Sequence, residues 1–220
     1  MLVCLISFQL TGAAKEFDDA KPHIHSILMN RYASSLVGDA CFCGVLGAKR
    51  TTRCSECKFN DPMCAECFIH SHRTEPTHWA DVWDFDRGFF IRHDISQLKP
   101  DGQAIYFGHN GFPCPKYSPE SSDLTFDLID VNGIHNTRVR FCECSLEDKA
   151  TQLLKSGLFP ATFSQPRMAF TFQVLDHFHK LHLQSKLSTY DYVATLRRLT
   201  DNAFAQRVTV CFFLFNQFRY

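Results

Sequence analysis

Apolar and polar positions change rhythm three times along the chain. From Lys21 to Leu36 the residues Ile24, Ile27, Leu28 and Leu36 recur at helical spacing behind Pro22, which predicts a helix with Pro22 near its first turn. Between Trp79 and Ile91 the aromatic residues Trp79, Trp83, Phe85, Phe89 and Phe90 follow no helical period and are expected to form a packing collar. A short strand is predicted at Ala104 to Phe107, followed by a turn-rich stretch through Phe112. Leu124 to Val131 then alternates, Asn132-Gly133 signals a hairpin, and Thr137 to Cys142 returns as the second strand. From Glu147 the pattern turns helical, over 147–156, 169–186 and 189–200, with Gly157, Pro160 and Pro166 breaking the chain between the first two. Phe170, Val174, Leu175, Phe178 and Leu181 make the core stripe of the middle helix. Tyr192, Val193, Leu196 and Leu199 make that of the last, where Ser188 is placed to cap with Asp191 three residues on. Strands followed by helices predict an α+β fold.

Composition bounds the picture without deciding it. The 220 residues allow one large domain or two small ones, and 45% hydrophobic content supports a real core. Lys plus Arg and Asp plus Glu number 23 each, so a whole-surface polyanion binder is excluded while a local basic patch is not. Met1 to Leu10, followed by Thr-Gly-Ala-Ala, has the outline of a short signal peptide. It lacks a charged start and is broken by Ser7 and Gln9, so the expectation is an intracellular chain with a non-native start or a buried strand there. Val208 to Phe215 is apolar but falls well short of the ~20 residues that span a bilayer.

The eleven cysteines carry the chemistry. Cys41-x-Cys43, Cys54-x2-Cys57, Cys64-x2-Cys67 and the pair His72 and His78 follow one another in metal-ligand order. Interleaved histidines favour zinc over disulfides, since a disulfide has no use for imidazole. Eight soft donors suffice for two tetrahedral ions. A cross-braced arrangement gives Cys41, Cys43, Cys64 and Cys67 to one ion and Cys54, Cys57, His72 and His78 to the other, with His70 an alternative to His72. The order of pairs is similar to the B-box zinc finger, whose first pair usually has two intervening residues. A second set comprises His109, Cys114, Cys142 and Cys144, the last two closing the hairpin. It offers a third metal site if the returning strand brings Cys142-x-Cys144 back to the Gly-Pro loop, with His135 a competing ligand. Cys4 and Cys211 have no such neighbours.

No catalytic constellation stands out. Asp127 and Asp130 are three apart on a strand and point to opposite faces, as ordinary hairpin charges do. His177, His179 and His182 do not form a ligand pair with a carboxylate and are expected at the surface or boundary. Lys49, Arg50 and Arg53, inside the loop between the first two cysteine pairs, are the one local hook for phosphates.

With these residues in view, the stretches CSEC, MCAECFIHSHRTEPTHWADVW, FGHNGFPCP, LIDVNGIHNTRVRFCEC, LFPATFSQPRMAFTFQVLDHFH and QSKLSTYDYVATLRRLTDN resemble a known family. It is the CxC-like cysteine-cluster domain that precedes the catalytic region of KDZ (Kyakuja-Dileera-Zisupton) transposases of fungi. The resemblance runs from about Cys41 to Asn202. It implies a zinc-chelating module of a mobile-element protein that helps engage DNA or partners, with Cys54, Cys57, Cys64, Cys67, His72, His78, Cys142 and Cys144 as its matching positions. Family members continue into an RNase H-like catalytic region. Here the likeness stops near Asn202, and AFAQRVTVCFFLFNQFRY looks unrelated, so a truncated element or partial gene model without transposase activity is expected.

The sequence is therefore divided into an N-terminal segment with one helix (1–40), a zinc cluster (41–83), a small antiparallel sheet with the second cysteine motif (84–146), a helical region (147–202) and an unmatched tail (203–220). The expected function is that of a non-catalytic, nuclear, zinc-binding domain of a KDZ-type transposase. Two zinc ions are expected in the main cluster, with a third at the second motif only if its ligand loops meet. DNA or a transposase partner is the expected ligand, with no membrane and no small-molecule substrate. A B-box-like protein-interaction module is the alternative; a residual nuclease or a ubiquitin-ligase component ranks behind both.

Overall fold

The computed structural model describes residues 2–99, 102–117, 123–144 and 146–208, with side chains from residue 12 onward. Residues 209–215 of the apolar C-terminal run, Cys211 and the side chain of Cys4 lie outside the described residues. The N-terminal helix α1 runs Leu2–Tyr32, so it begins well before Lys21 and holds Pro22 in its interior rather than at its first turn. The expected buried strand at Met1 to Leu10 is helical from Leu2. Its apolar stripe is not buried, for Ile27 and Leu28 are exposed and Leu36 lies beyond the helix end.

Two sheets follow. Strand β1 (Thr52–Cys54) pairs with β2 (Ala80–Asp84), which pairs with β3 (Phe89–His93), all antiparallel. The aromatic collar is thus the β2–β3 hairpin. Its turn is fixed by the Asp84 carboxylate, which accepts from the backbone N–H groups of Asp86 and Arg87 at 2.9 and 3.0 Å. Between β1 and β2 lies the short helix α2 (Ala65–Ser71).

The second sheet is built from β4 (Ala104–Tyr106), β5 (Leu124–Asp130), β6 (Gly133–Arg140), β7 (Leu158–Pro160) and β8 (Met168–Thr171), in the order β4-β6-β5-β8-β7. It is mixed, not antiparallel as expected, because β4 runs parallel to β6 and β5 parallel to β8. The Asn132-Gly133 hairpin forms as predicted, with β6 starting earlier, at Gly133. Gly133 has φ 143°, and a Cβ there would sit 2.8 Å from the Thr200 hydroxyl and 3.2 Å from the Trp79 ring, so only glycine fits the turn.

Helices α3 (Lys149–Lys155), α4 (Phe172–Ser185) and α5 (Thr189–Thr200) complete the described core. The Ser188 hydroxyl caps α5 by accepting from the Asp191 N–H, as expected. The expected helix from Ala169 is corrected at its start: Met168–Thr171 is strand β8, and the Thr171 hydroxyl caps α4 instead. Phe170 consequently packs from the sheet rather than from the helix. Strands on both sides of residue 147 share one sheet, so sheet and helices form an integrated α+β unit.

The sheet is buried on both faces. Phe126 and Leu128 of β5 and Val139 of β6 join Phe68, Ala80, Ile95, Leu153 and Leu158 in one core, toward the cysteine-rich module. Ile129 and Ile134 face the other way, into Phe170, Val174, Phe178, Tyr192, Val193 and Leu196. Alternation along β5 and β6 therefore places Asp130, His135 and Thr137 on the module side. There the Asp130 carboxylate accepts from the hydroxyls of Thr77 at 2.6 Å and Thr171 at 2.7 Å. Asp130 is thus a joint between module and sheet, not a surface hairpin charge. Asp127 points to the opposite face, as expected, where Asn136 donates to it at 2.8 Å.

His135 is fully buried, stacked on Trp79 with ring centroids 3.9 Å apart, and its Nε2 donates to Asn132 at 3.0 Å. Its Nδ1 lies 3.4 Å from the Asp94 carboxylate. Burial alone would raise the Asp94 carboxyl, but His135 and the Ser96 N–H hold it below its ordinary value of 3.8. A depressed carboxyl stabilises the fold above that value, and the contribution fades as pH falls through the folded-state pKa. Asp94→Asn is expected to destabilise the metal-loaded chain by ~1–3 kcal/mol at neutral pH, measured by urea unfolding. A change within a few tenths of a kcal/mol would show that this pair does not join the two layers.

Candidate metal centres

Three groups of four soft donors form in the structure, each with its ligand atoms within 4.8 Å of one another. The first contains Cys41, Cys43, Cys64 and Cys67. Cys41 and Cys43 sit on a hairpin closed by the Cys41 N–H to Ala48 carbonyl bond (2.8 Å) and by bridge pairing of Ala40 with Lys49. Cys64 and Cys67 sit at the start of α2, and the Cys64 N–H donates to the Cys41 sulfur at 3.3 Å. Burial raises the Cys41 thiol, but hydrogen bonds from the Cys43 and Cys64 backbone outweigh it and draw the group down to about 6. Burial and the neighbouring thiols push Cys67 up.

The second group contains Cys54, Cys57, His72 and His78. Cys54 ends β1, His72 ends α2, and His78 directly precedes Trp79 and β2. One seven-residue helix thus carries ligands of the first group at its start and of the second at its end. His72 Nδ1 donates to the Phe68 carbonyl at 3.0 Å, which leaves Nε2 facing Cys57 at 3.3 Å. That hydrogen bond fixes the tautomer a metal needs. Burial lowers the His72 pKa and favours the neutral, ligating imidazole. Burial raises Cys54, whose sulfur also faces His78 Nδ1 at 3.4 Å. His70, the alternative, is exposed on α2 beside Arg73 and belongs to neither group.

The third group contains His109, Cys114, Cys142 and Cys144. Parallel pairing explains it. β4 and β6 leave the sheet at the same end, so the loop after β4 and the Cys142-x-Cys144 segment after β6 meet. The approach is close: a Cβ on Gly108 would lie 3.0 Å from the Cys142 Cβ. His109 Nε2 stands 3.2 Å from the Cys142 sulfur, and Cys114 stands 3.3 Å from that of Cys144. Burial raises Cys114, but the Glu143 N–H, the Cys144 thiol, the Lys116 N–H and His109 together outweigh it and bring it down to about 6. His135, the competing ligand, is held by Asp94 and Trp79 instead.

Sequence reasoning missed the residues that hold this third group in place. The buried Gln152 of α3 accepts from the Cys142 N–H at 2.8 Å and donates to its carbonyl at 3.1 Å. Gly111 lies against Arg73, where a Cβ would stand 2.5 Å from the Arg73 carbonyl, so the β4 loop docks on the segment that follows His72. A lone glutamine on a helix gives no sequence signal of such a role.

The donor sets Cys4, Cys2His2 and Cys3His suit a tetrahedral, soft-acid metal ion. The nine described cysteines are all free of disulfides. The nearest thiol pair, at 3.3 Å, is far from the ~2.05 Å of a sulfur–sulfur bond and in the range of neighbouring ligands.

The basic loop is corrected in one residue. Lys49 is exposed and Arg50 half-buried, but Arg53 is 7% exposed. It pairs with Asp81, donates to the Arg31 carbonyl and stacks over Phe90 at 3.7 Å. A cation placed on a central part of β1 next to an aromatic hairpin has better partners inside than phosphates outside. The remaining histidines behave as expected: His177 bonds the Tyr192 hydroxyl at 2.8 Å, and His182 the Leu187 carbonyl at 2.9 Å.

Fold and donor groups together define a cysteine-cluster protein, an α+β unit with three sets of soft ligands. Residues 98–204 match the family model described as "CxC2 like cysteine cluster associated with KDZ transposases". The matched domain, just under half of the chain, contains the third donor group and all of the five-stranded sheet. The first two groups lie before it, outside the match, so the family model covers less of the chain than the expected likeness from Cys41. The description names a cysteine cluster associated with transposases rather than their catalytic domain. No curated protein and no solved structure matches the chain. Among the described residues no helix is long and apolar enough to cross a membrane.

Removing one donor is expected to cost one metal ion. Cys57→Ser and Cys142→Ser should each lower the metal content of the purified chain by one, whereas His70→Ala should leave it unchanged, measured by elemental analysis against protein concentration. An equal loss in the His70 variant would contradict the assignment of His72.

Proposed function

We propose that the chain binds three zinc ions, one in each donor group, and serves as a non-catalytic accessory module that helps a KDZ-type transposase engage DNA in the nucleus. The observation that carries this reading is the convergence of twelve thiol and imidazole donors, from segments as far apart as Cys41 and Cys144, into three groups of four. Closed sets of four protein ligands leave no coordination position for substrate, which is the pattern of structural rather than catalytic zinc. Neither family match nor donor chemistry supplies the acidic residues of a nuclease, and the module is read as a partner of catalysis performed elsewhere.

DNA is favoured by the first zinc hairpin. Lys49 and Arg50 stand on its outer arm, and no carboxylate occurs between Ala40 and Ser55. Asp39 stands opposite Arg50 in the hairpin backbone, yet two cations on one loop suit a phosphate backbone. Duplex binding is therefore expected to weaken with salt. Charge reversal at Lys49 and Arg50 should flatten the slope of log affinity against log salt by about 2, one for each lost phosphate contact. Titration of a labelled duplex at several salt concentrations tests this. An unchanged slope, or no binding at low salt, would reject the DNA reading.

A further inference from the structure

The first zinc hairpin ends in apolar side chains that are exposed among the described residues. Leu46 is 101% exposed, and Phe42 and Val45 are each 65% exposed. They cannot fold back. The loop is closed by hydrogen bonds from the Gly44 N–H to the Cys41 carbonyl (3.2 Å) and from the Ala48 N–H to the Val45 carbonyl (3.1 Å). Gly44 and Gly47 turn it with φ 72° and 80°, and no atom lies within 4 Å of where a Cβ would stand at either. The tip therefore projects from a frame anchored by Cys41 and Cys43. Arg50 reaches over the Phe42 ring at 5.8 Å and bonds the Ala40 carbonyl at 3.1 Å, so a guanidinium borders the apolar tip.

We infer that Phe42, Val45 and Leu46 form a wedge that enters duplex DNA between base steps while Lys49 and Arg50 hold the flanking phosphates. The inference rests on the DNA reading above and adds to it the residues that leave the phosphate backbone and reach the bases. Apolar side chains gain by leaving water, and a cationic collar selects an anionic surface around the point of entry. An apolar wedge flanked by cations is the arrangement by which proteins unstack and kink a duplex. Flat aliphatic packing from Val45 and Leu46 carries no hydrogen-bond code, so the wedge selects deformable pyrimidine–purine steps rather than a fixed base sequence.

The test uses the full, metal-loaded chain and a duplex with 2-aminopurine at a central TA step. The native chain is expected to raise the 2-aminopurine fluorescence on binding. Leu46→Ser and Val45→Ser, with metal content unchanged, should abolish that rise and weaken binding by about 10-fold each. Leu146→Ser, at another fully exposed apolar position, should do neither. Binding by the native chain with no fluorescence change, or equal binding and response in the Leu46 variant, would overturn the wedge while leaving the DNA reading intact. Absence of duplex binding at low salt would overturn both. Leu46-dependent binding to vesicles of anionic lipid in place of the duplex would overturn them in favour of a membrane surface.

Discussion

Four soft donors must meet within a few ångströms at three places, and that demand organises the rest of the chain. Helix α2 is too short to be stable alone, since isolated helices need ~12–15 residues. It is fixed because Cys64 and Cys67 at one end and His72 at the other belong to different donor groups. The hairpin at Cys41 and the end of β1 at Cys54 are drawn to the same helix from opposite sides. In the proposed zinc-loaded state each ion contributes an apparent ~10–16 kcal/mol, by the standard of small finger peptides. A domain of this size has a net stability of only ~5–15 kcal/mol. Loss of a single ion is thus comparable to the whole margin of folding.

The clusters do not stand apart from the sheet. Thr77 lies between the donors His72 and His78, and its hydroxyl is held by Asp130 at the end of β5. Asn132 in the hairpin turn donates to the Thr77 carbonyl at 2.8 Å and to Glu56, whose carboxylate also faces the Cys54 sulfur at 3.5 Å. The Trp79 indole donates to the Asn132 carbonyl at 3.2 Å and stacks on His135. These bonds tie the second donor group to the matched segment, and the buried one, from Thr77 to Asp130, is costly to leave unpaired. The boundary near residue 98 is therefore a limit of sequence similarity and not a gap in packing.

Much of this was legible in the residues. The α+β class, the Asn132-Gly133 hairpin, the α5 cap at Ser188 and the composition of the first two donor groups follow from spacing and turn chemistry. The choice between His70 and His72 did not, because both lie after Cys67 and only the C-terminal turn of α2 points one of them inward. The four members of the third group were also named from the sequence, but the parallel pairing of β4 with β6 that brings them together is a long-range contact that no local pattern announces. Strand β8 was hidden because Met168 to Phe170 continues the apolar rhythm of α4, and pairing with β5 overrides it. Arg53 looked like a surface cation in a basic loop, yet an adjacent carboxylate and an aromatic strand gave it a buried place.

The central claim is that three metal ions, and not thiol packing alone, hold these segments together. Native mass spectrometry of the purified chain tests it most directly, comparing its mass with that of the chelated, denatured protein. The expected result is a folded species carrying three zinc ions. A folded, stable chain that carries none, or only one, would contradict the account.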